Sequence, residues 1–198
     1  MKIGLTGSIA CGKSTVSSFL REKGYPVIDA DAISHALTAQ GGAALPAIRA
    51  AFGDAVFDGE ILNRRALGNA VFIDKEKRAQ LNSILHPMIL ERIYSELEAR
   101  NAQDTLVFAD VPLLYECAME DHFDRIWVVA AKEDTQLTRL MVRDNLTEAE
   151  ALARIRSQMP LEEKCRRADA VIHTDGPIPA TERQVLRLLA SPYERKQA

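Results

Sequence analysis

The stretch Gly7-Ser8-Ile9-Ala10-Cys11-Gly12-Lys13-Ser14 constrains this chain more than any other feature. It fits the spacing G-x-x-x-x-G-K-[ST]. It also stands between an apolar run at residues 2–6 and a helix-like run at residues 13–23. A strand, a glycine-containing loop and a helix in that order make a phosphate-binding loop. A chain of phosphates needs several N–H donors converging on it. A loop wrapped around the phosphates supplies them, and the following helix adds the positive end of its dipole. Gly7 and Gly12 permit a close backbone approach that a side chain would obstruct. Lys13 brings a compact positive charge to the β and γ phosphates, Ser14 offers a hydroxyl to Mg2+, and Thr15 can reach the α phosphate. Cys11 has no neighbour in sequence that marks a catalytic thiol, and it reads as a small tolerated residue.

The rest of the chain builds around that loop. Val16, Phe19 and Leu20 share one face of the helix after it, Gly24 ends that helix, and Pro26-Val27-Ile28-Asp29 reads as a second strand. Strand, helix, strand is the βαβ unit of a parallel sheet. Short helices are expected over 31–38 and 44–52, a turn at Asp58-Gly59, and a long helical stretch over about 63–100. In that stretch Leu81, Ile84, Leu85, Met88, Ile89, Ile93 and Leu97 keep the spacing of an amphipathic helix, and Pro87 is expected to kink or divide it. Further strands are expected at 105–111, 125–130 and 170–174, with helices over 133–167 and 180–190. Short apolar strands separated by helices imply an α/β fold with a parallel, doubly covered sheet. The stretches at about 60–103 and 132–167 are too long for simple crossovers. They read as insertions over the carboxyl edge of the sheet, where such folds bind ligands.

Composition narrows the partners. The 198 residues carry a net charge of −3, which gives no electrostatic case for nucleic acid. The three cysteines, Cys11, Cys117 and Cys165, are odd in number and far apart, which points to a reducing cytosol. Neither a signal peptide nor an apolar run of membrane-spanning length is expected.

Three regions narrow the phosphate chemistry. Asp29 and Asp31 follow the second strand, where a carboxylate can accept a proton from an attacking hydroxyl or hold Mg2+ through water. The competing role is a helix cap near Ala32, and for Asp31 spacing leaves base and cap open. Asp110 ends an apolar strand, a place suited to a metal-side carboxylate or to a surface residue. Pro112-Leu113-Leu114 is an apolar bend that lines a substrate pocket or packs the core. Arg139 and Arg143 are four apart on one helix face and can close on a transferring phosphate; the alternative is a solvated face balanced by Asp134, Asp144 and Glu148. The four histidines form no metal-like pair, and His86 sits beside Pro87.

With these segments in place, the sequence resembles the dephospho-CoA kinase family over nearly its whole length. "GLTGSIACGKSTV", "PVIDADAI", "LNRRALGNAVF", "LNSILHPMI", "DVPLLYE", "QLTRLMVRD", "AEALARIRSQM" and "EEKCRRADAVI" occur in the family's order, followed by the turn at Asp175-Gly176. The resemblance implies a three-layer P-loop kinase fold with a parallel β-sheet core, a helical substrate-side insertion and a helical lid. The core would comprise residues 1–59, 104–131 and 168–198, the CoA-side insertion 60–103 and the lid 132–167. It implies ATP-dependent phosphorylation, with Mg2+, of the ribose 3′-hydroxyl of dephospho-CoA. Ala10 to Thr15 would bind the ATP phosphates and Asp31 would be the base. Arg139, with Arg143 on the same face, would contact phosphates from the lid. The Asp175-Gly176 turn would approach adenine, and Arg65 and His86, with Leu113, would lie on the acceptor side. A guanine-nucleotide switch is disfavoured: the chain has no Asp-x-x-Gly, and Ala131-Lys132-Glu133-Asp134 lacks the Asn of a guanine-reading motif.

Overall fold

The computed structural model describes residues 1–101 and 106–191. Thr105, where the third expected strand begins, and residues 102–103, where the expected insertion ends, lie outside the described residues. The chain divides into two compact units, one made of residues 1–28 and 97–198 and the other of residues 29–96.

The first unit holds a five-stranded sheet built from β1 (Lys2–Gly7), β2 (Val27–Asp29), β5 (Val107–Asp110), β6 (Arg125–Ala130) and β7 (Ala170–His173), in the order β2-β5-β1-β6-β7. β1 pairs parallel with β5 and β6, and β6 parallel with β7. The chain leaves β1 on one side of the sheet order and later returns on the other, so the loop after β1 sits at a switch in strand order. Open α/β sheets bind ligands at such a switch. β1 is buried on both faces, and its alternation decides what covers each. Ile3 and Leu5 join Val16, Phe19 and Leu20 of α1 (Lys13–Glu22), Val185 of α9 (Ile178–Ala190), Phe108 and Trp127 in one apolar cluster. Each such fully buried side chain contributes about 1.5–3 kcal/mol of transfer free energy. Gly4 faces the other way, and a Cβ there would stand 2.6 Å from Leu114 and 3.0 Å from Phe123.

The expected helical run at 133–167 is three helices of this unit: α6 (Glu133–Asp144), α7 (Glu148–Arg156) and α8 (Leu161–Arg167). Asn145 ends α6 in the left-handed region at φ 52°. Thr147 and Glu150 then form a reciprocal capping box that starts α7. Leu140, Ala151 and Ile155 form a small apolar cluster, with Leu137 and Met141 packed on it.

The second unit contains α2 (Ala30–Leu37), α3 (Leu45–Phe52), a short antiparallel hairpin of β3 (Phe57–Asp58) and β4 (Ile61–Leu62), α4 (Arg64–Ile73) and most of α5 (Lys75–Asn101). Its core is Ala44, Ile48, Val56, Phe57, Leu62 and Leu67, with Leu81, Ile84, Leu85 and Met88 packed on it as their spacing predicts. The long helical stretch is divided, but not at Pro87, which lies inside α5. The break falls at Asp74, whose backbone is extended (φ −107°, ψ 110°) and whose carboxylate accepts the Glu76 and Lys77 N–H groups at 2.9 and 3.1 Å. A side chain that accepts two otherwise orphaned N–H groups starts a new helix at that point. Among the described residues no helix is long and apolar enough to cross a membrane.

Candidate active site

The phosphate loop leaves β1 where packing is tightest. A Cβ on Gly7 would stand 2.5 Å from the Val129 carbonyl oxygen and 2.6 Å from Cys11 Sγ, so no other residue fits there. Ala10 and Gly12 both take positive φ, 58° and 85°. Gly12 accommodates this freely; Ala10 does so at a cost of about 1–2 kcal/mol. Cys11 is more than a tolerated small residue. It is 1 % exposed and belongs to the main core cluster, and burial pushes its thiol pKa up. Its backbone closes the loop, with the Cys11 N–H donating to Ser8 O at 3.3 Å and the Cys11 carbonyl accepting from the Thr174 hydroxyl at 2.6 Å. Lys13 and Ser14 open α1, where helix geometry leaves the first N–H groups without an intrahelical acceptor. Ser14 is exposed and Thr15 half-buried.

Around this loop the first unit gathers charge. Lys13 forms an ion pair with Asp110 at the end of β5, the two side chains being 17 % and 7 % exposed. Asp110 is therefore neither a surface residue nor free of the loop. Arg139 of α6 donates from Nη1 to the Thr174 hydroxyl at 3.0 Å and from Nη2 to the Thr174 carbonyl at 2.6 Å. The same Nη1 lies 3.4 Å from where a Gly12 Cβ would stand. Arginine has five N–H donors, so two bonds to Thr174 leave three for an anion. Arg143, on the same helix, is used differently. It binds Asp144 at 2.7 Å, Arg154 binds the same carboxylate at 2.9 Å, and Arg143 is exposed. The two arginines expected to act together are thus separated by partner.

Asp175 accepts the Lys132 N–H and the Thr135 hydroxyl, each at 2.8 Å. Partial burial works against its ionised form, but these two donors outweigh it and hold its pKa below the usual carboxylate value. Gly176 is exposed beside it. A cavity of about 740 Å3 opens here, bordered by Lys132, Gln136, Arg156, His173 and Asp175. Gln136 is 3 % exposed; its Nε2 donates to the Ala131 carbonyl, and its Oε1 has no partner. The Pro112-Leu113-Leu114 bend divides its roles: Leu114 is fully buried core and Leu113 is 39 % exposed.

The second unit carries the remaining expected residues. Asp29 Oδ1 accepts the Ala32 N–H at 3.0 Å and so caps α2. That answers which aspartate is the cap, and it leaves Asp31, exposed in the first turn of α2, without that duty. Arg65 is exposed in the first turn of α4. His86 is half-buried on α5, and burial lowers its pKa.

A family model described as dephospho-CoA kinase matches residues 1–180. The chain belongs to the dephospho-CoA kinase family. The Bacillus anthracis dephospho-CoA kinase is 48 % identical over 191 residues, covering 94 % of each chain. That of Geobacillus kaustophilus is 47 % identical over 193 residues, covering 96 % of this chain and 95 % of its own. Among solved structures, a Thermus thermophilus protein is 38 % identical with a TM-score of 0.82 over 96 % of both chains. The Campylobacter jejuni dephospho-CoA kinase is 25 % identical with a TM-score of 0.65 over 95 % of both. A shikimate kinase from Acinetobacter baumannii, 19 % identical at a TM-score of 0.57, shares the fold.

Three residues that the family member's sequence did not advertise as part of the site surround the loop. Thr174 joins Cys11 to Arg139, Gln158 accepts the Ile9 N–H at 2.8 Å and the Ser8 hydroxyl at 3.1 Å, and Lys164 reaches the Gly7 carbonyl at 3.1 Å. Lys164 sits in the charge run Glu162-Glu163-Lys164-Cys165-Arg166-Arg167, which reads as a solvated helix face. Its one signal is position: it lies three residues after Leu161, a spacing that puts the two on one side of α8.

Proposed function

We propose that this chain transfers the γ-phosphoryl group of ATP to the ribose 3′-hydroxyl of dephospho-CoA and so makes coenzyme A, the last step of its synthesis. The observation that carries the reading is the loop of Gly7 to Thr15, built with Lys13 and Ser14 at the head of α1, in a chain whose first 180 residues match the dephospho-CoA kinase family. Three cysteines, odd in number and far apart in sequence, suit a cytosolic enzyme.

In this reading Ala10 to Thr15 cradle the triphosphate, and Lys13, already held by Asp110, turns its remaining N–H donors to the β and γ oxygens. The donor set fits a Mg2+ that arrives with ATP and keeps few protein ligands: the exposed Ser14 hydroxyl would hold it, with Asp110 near the same end of the sheet. When bound, that ion neutralises charge on the β and γ oxygens. Arg139, steadied by Thr174, stabilises charge on the moving phosphoryl group, and Arg143 serves phosphate only by leaving Asp144. The Asp175-Gly176 turn and the cavity beside it take the adenine. Asp31, relieved of capping by Asp29, orients the 3′-hydroxyl and takes its proton. Residues 60–103, with Arg65 and His86, form the CoA side, Leu113 lines the acceptor, and residues 132–167 form the lid that keeps water out.

ADP formation is measured with ATP and Mg2+, with and without dephospho-CoA, and with AMP, CMP and pantothenate as other acceptors. Stimulation by dephospho-CoA alone, with one phosphate gained by mass, is the expected result. Stimulation by another acceptor instead would refute the acceptor while leaving the phosphate loop in place.

A further inference from the structure

Lys164 is fully buried, an unusual place for an ammonium group. Its three N–H donors meet three acceptors: the Gly7 carbonyl at 3.1 Å, the Pro112 carbonyl at 3.4 Å and Glu116 Oε1 at 2.8 Å. The same Glu116 oxygen accepts the Met159 N–H at 3.0 Å, and the Pro112 carbonyl also accepts the Thr6 hydroxyl at 3.0 Å. Gln158, next to Met159, takes the Ile9 N–H and the Ser8 hydroxyl. The segment 158–164, which joins α7 to α8 and runs into α8, thus grips the outgoing arm of the phosphate loop at three successive residues.

A charge wholly out of water persists only when its donors are satisfied. An apolar side chain would fill the same space without that desolvation cost. What the ammonium adds is direction: one point binds the peptide where β1 becomes the phosphate loop and the peptide where β5 becomes the Leu113 bend. Because it is buried, it cannot touch a substrate. We infer that Lys164, together with Gln158 and Glu116, is a positioning residue for phosphoryl transfer, which sets the path of the phosphate loop through the Gly7 and Pro112 carbonyls.

The other arm of the loop is held separately, by Thr174 on the Cys11 carbonyl. The Lys164 cluster therefore governs how the first half of the loop meets the second, and hence where the amides converge. It ties that convergence to the end of the proposed lid segment, so a lid that shifts α8 also shifts the phosphate site. The inference rests on the kinase reading for its turnover measurement but not for its binding measurement.

The test compares the full-length enzyme with Lys164→Met, Gln158→Ala and the double variant. Calorimetry measures affinity for ATP and for adenosine, and steady-state kinetics measures ADP formation with dephospho-CoA. The expected result is weaker ATP binding at unchanged adenosine affinity, with kcat for Lys164→Met down about 100-fold, the scale of a small misplacement of reacting groups. Gln158→Ala moves in the same direction by less, and the double variant loses less than the product of the two, because both act through one loop. A folded Lys164→Met enzyme with wild-type ATP affinity and kcat overturns the inference. So does one in which ATP and adenosine affinities fall together, since that marks a general structural loss. If Lys164→Met does not melt cooperatively, Gln158→Ala decides: unchanged ATP affinity, or a loss shared with adenosine, whose proposed cavity Gln158 also borders, overturns the inference, and a loss confined to ATP upholds it. A wild-type enzyme that binds ATP but phosphorylates something other than dephospho-CoA refutes the acceptor assignment, and the binding comparison still decides the role of Lys164.

Discussion

Replacing Thr174 by valine removes one oxygen and keeps the shape. That hydroxyl is buried, donates to the Cys11 carbonyl at 2.6 Å and accepts from Arg139 Nη1 at 3.0 Å. The variant leaves a buried loop carbonyl without its donor and Arg139 with only its bond to the Thr174 carbonyl. An orphaned buried acceptor costs about 1–3 kcal/mol. In a domain of this size each kcal/mol lowers Tm by about 2–4 °C, so the melt should drop by about 2–12 °C. If the loop instead relaxes and turns the carbonyl toward water, the cost moves from stability to binding, and ATP affinity falls about tenfold for every 1.4 kcal/mol. Thermal melting and ATP calorimetry on the same protein therefore read the two halves of one penalty. Thr174→Ser keeps the hydroxyl and should restore most of both. A valine variant that melts and binds ATP like the wild type would show that Thr174 does not hold the loop, and would remove the anchor assigned to Arg139.

Asp31→Asn should keep ATP affinity and lower kcat about 10²–10⁴-fold, the range of a general base; near-normal turnover would exclude that role. Lys13→Ala should cut transfer severely and weaken ATP binding, and it also leaves Asp110 buried without its cation, so the melt should fall as well; an unaffected ATP affinity would refute the phosphate-loop assignment. The Tyr115 hydroxyl is buried without a partner, and burial, partly opposed by Arg167 over the ring, pushes its pKa from 10.0 up to about 12. The unfolded chain loses that proton first, so the group's contribution is intact below pH 10 and is lost as pH rises toward 12. Tyr115→Phe should match or exceed wild-type stability at neutral pH and lack this part of the alkaline loss. A clear drop in stability at neutral pH would mean that the hydroxyl has a partner after all.

What could be read along the chain was whatever short-range physics dictates. Gly7, Gly12, Lys13 and Ser14 carry their meaning in spacing, because backbone freedom, the orphan amides of a helix start and a single cation act over a few residues. The periodicity of α1 and α5 likewise states which faces are buried, before any partner is known. Local reading falters where two local rules compete. Pro87 looked like the stronger helix breaker, yet the capping side chain of Asp74 made the break. Asp29 and Asp31 were indistinguishable until the Ala32 N–H chose Asp29. Only the tertiary structure could decide the rest, since it depends on pairs far apart in sequence. Lys164 meets the Gly7 carbonyl across 157 residues, and Thr174 meets Cys11 across 163. A lysine in a charge run and a threonine after a strand have no distinguishing pattern of their own. Their roles arise when the parallel sheet brings the ends of β1, β5 and β7 to one edge, where a buried donor must find an acceptor whatever its distance along the chain.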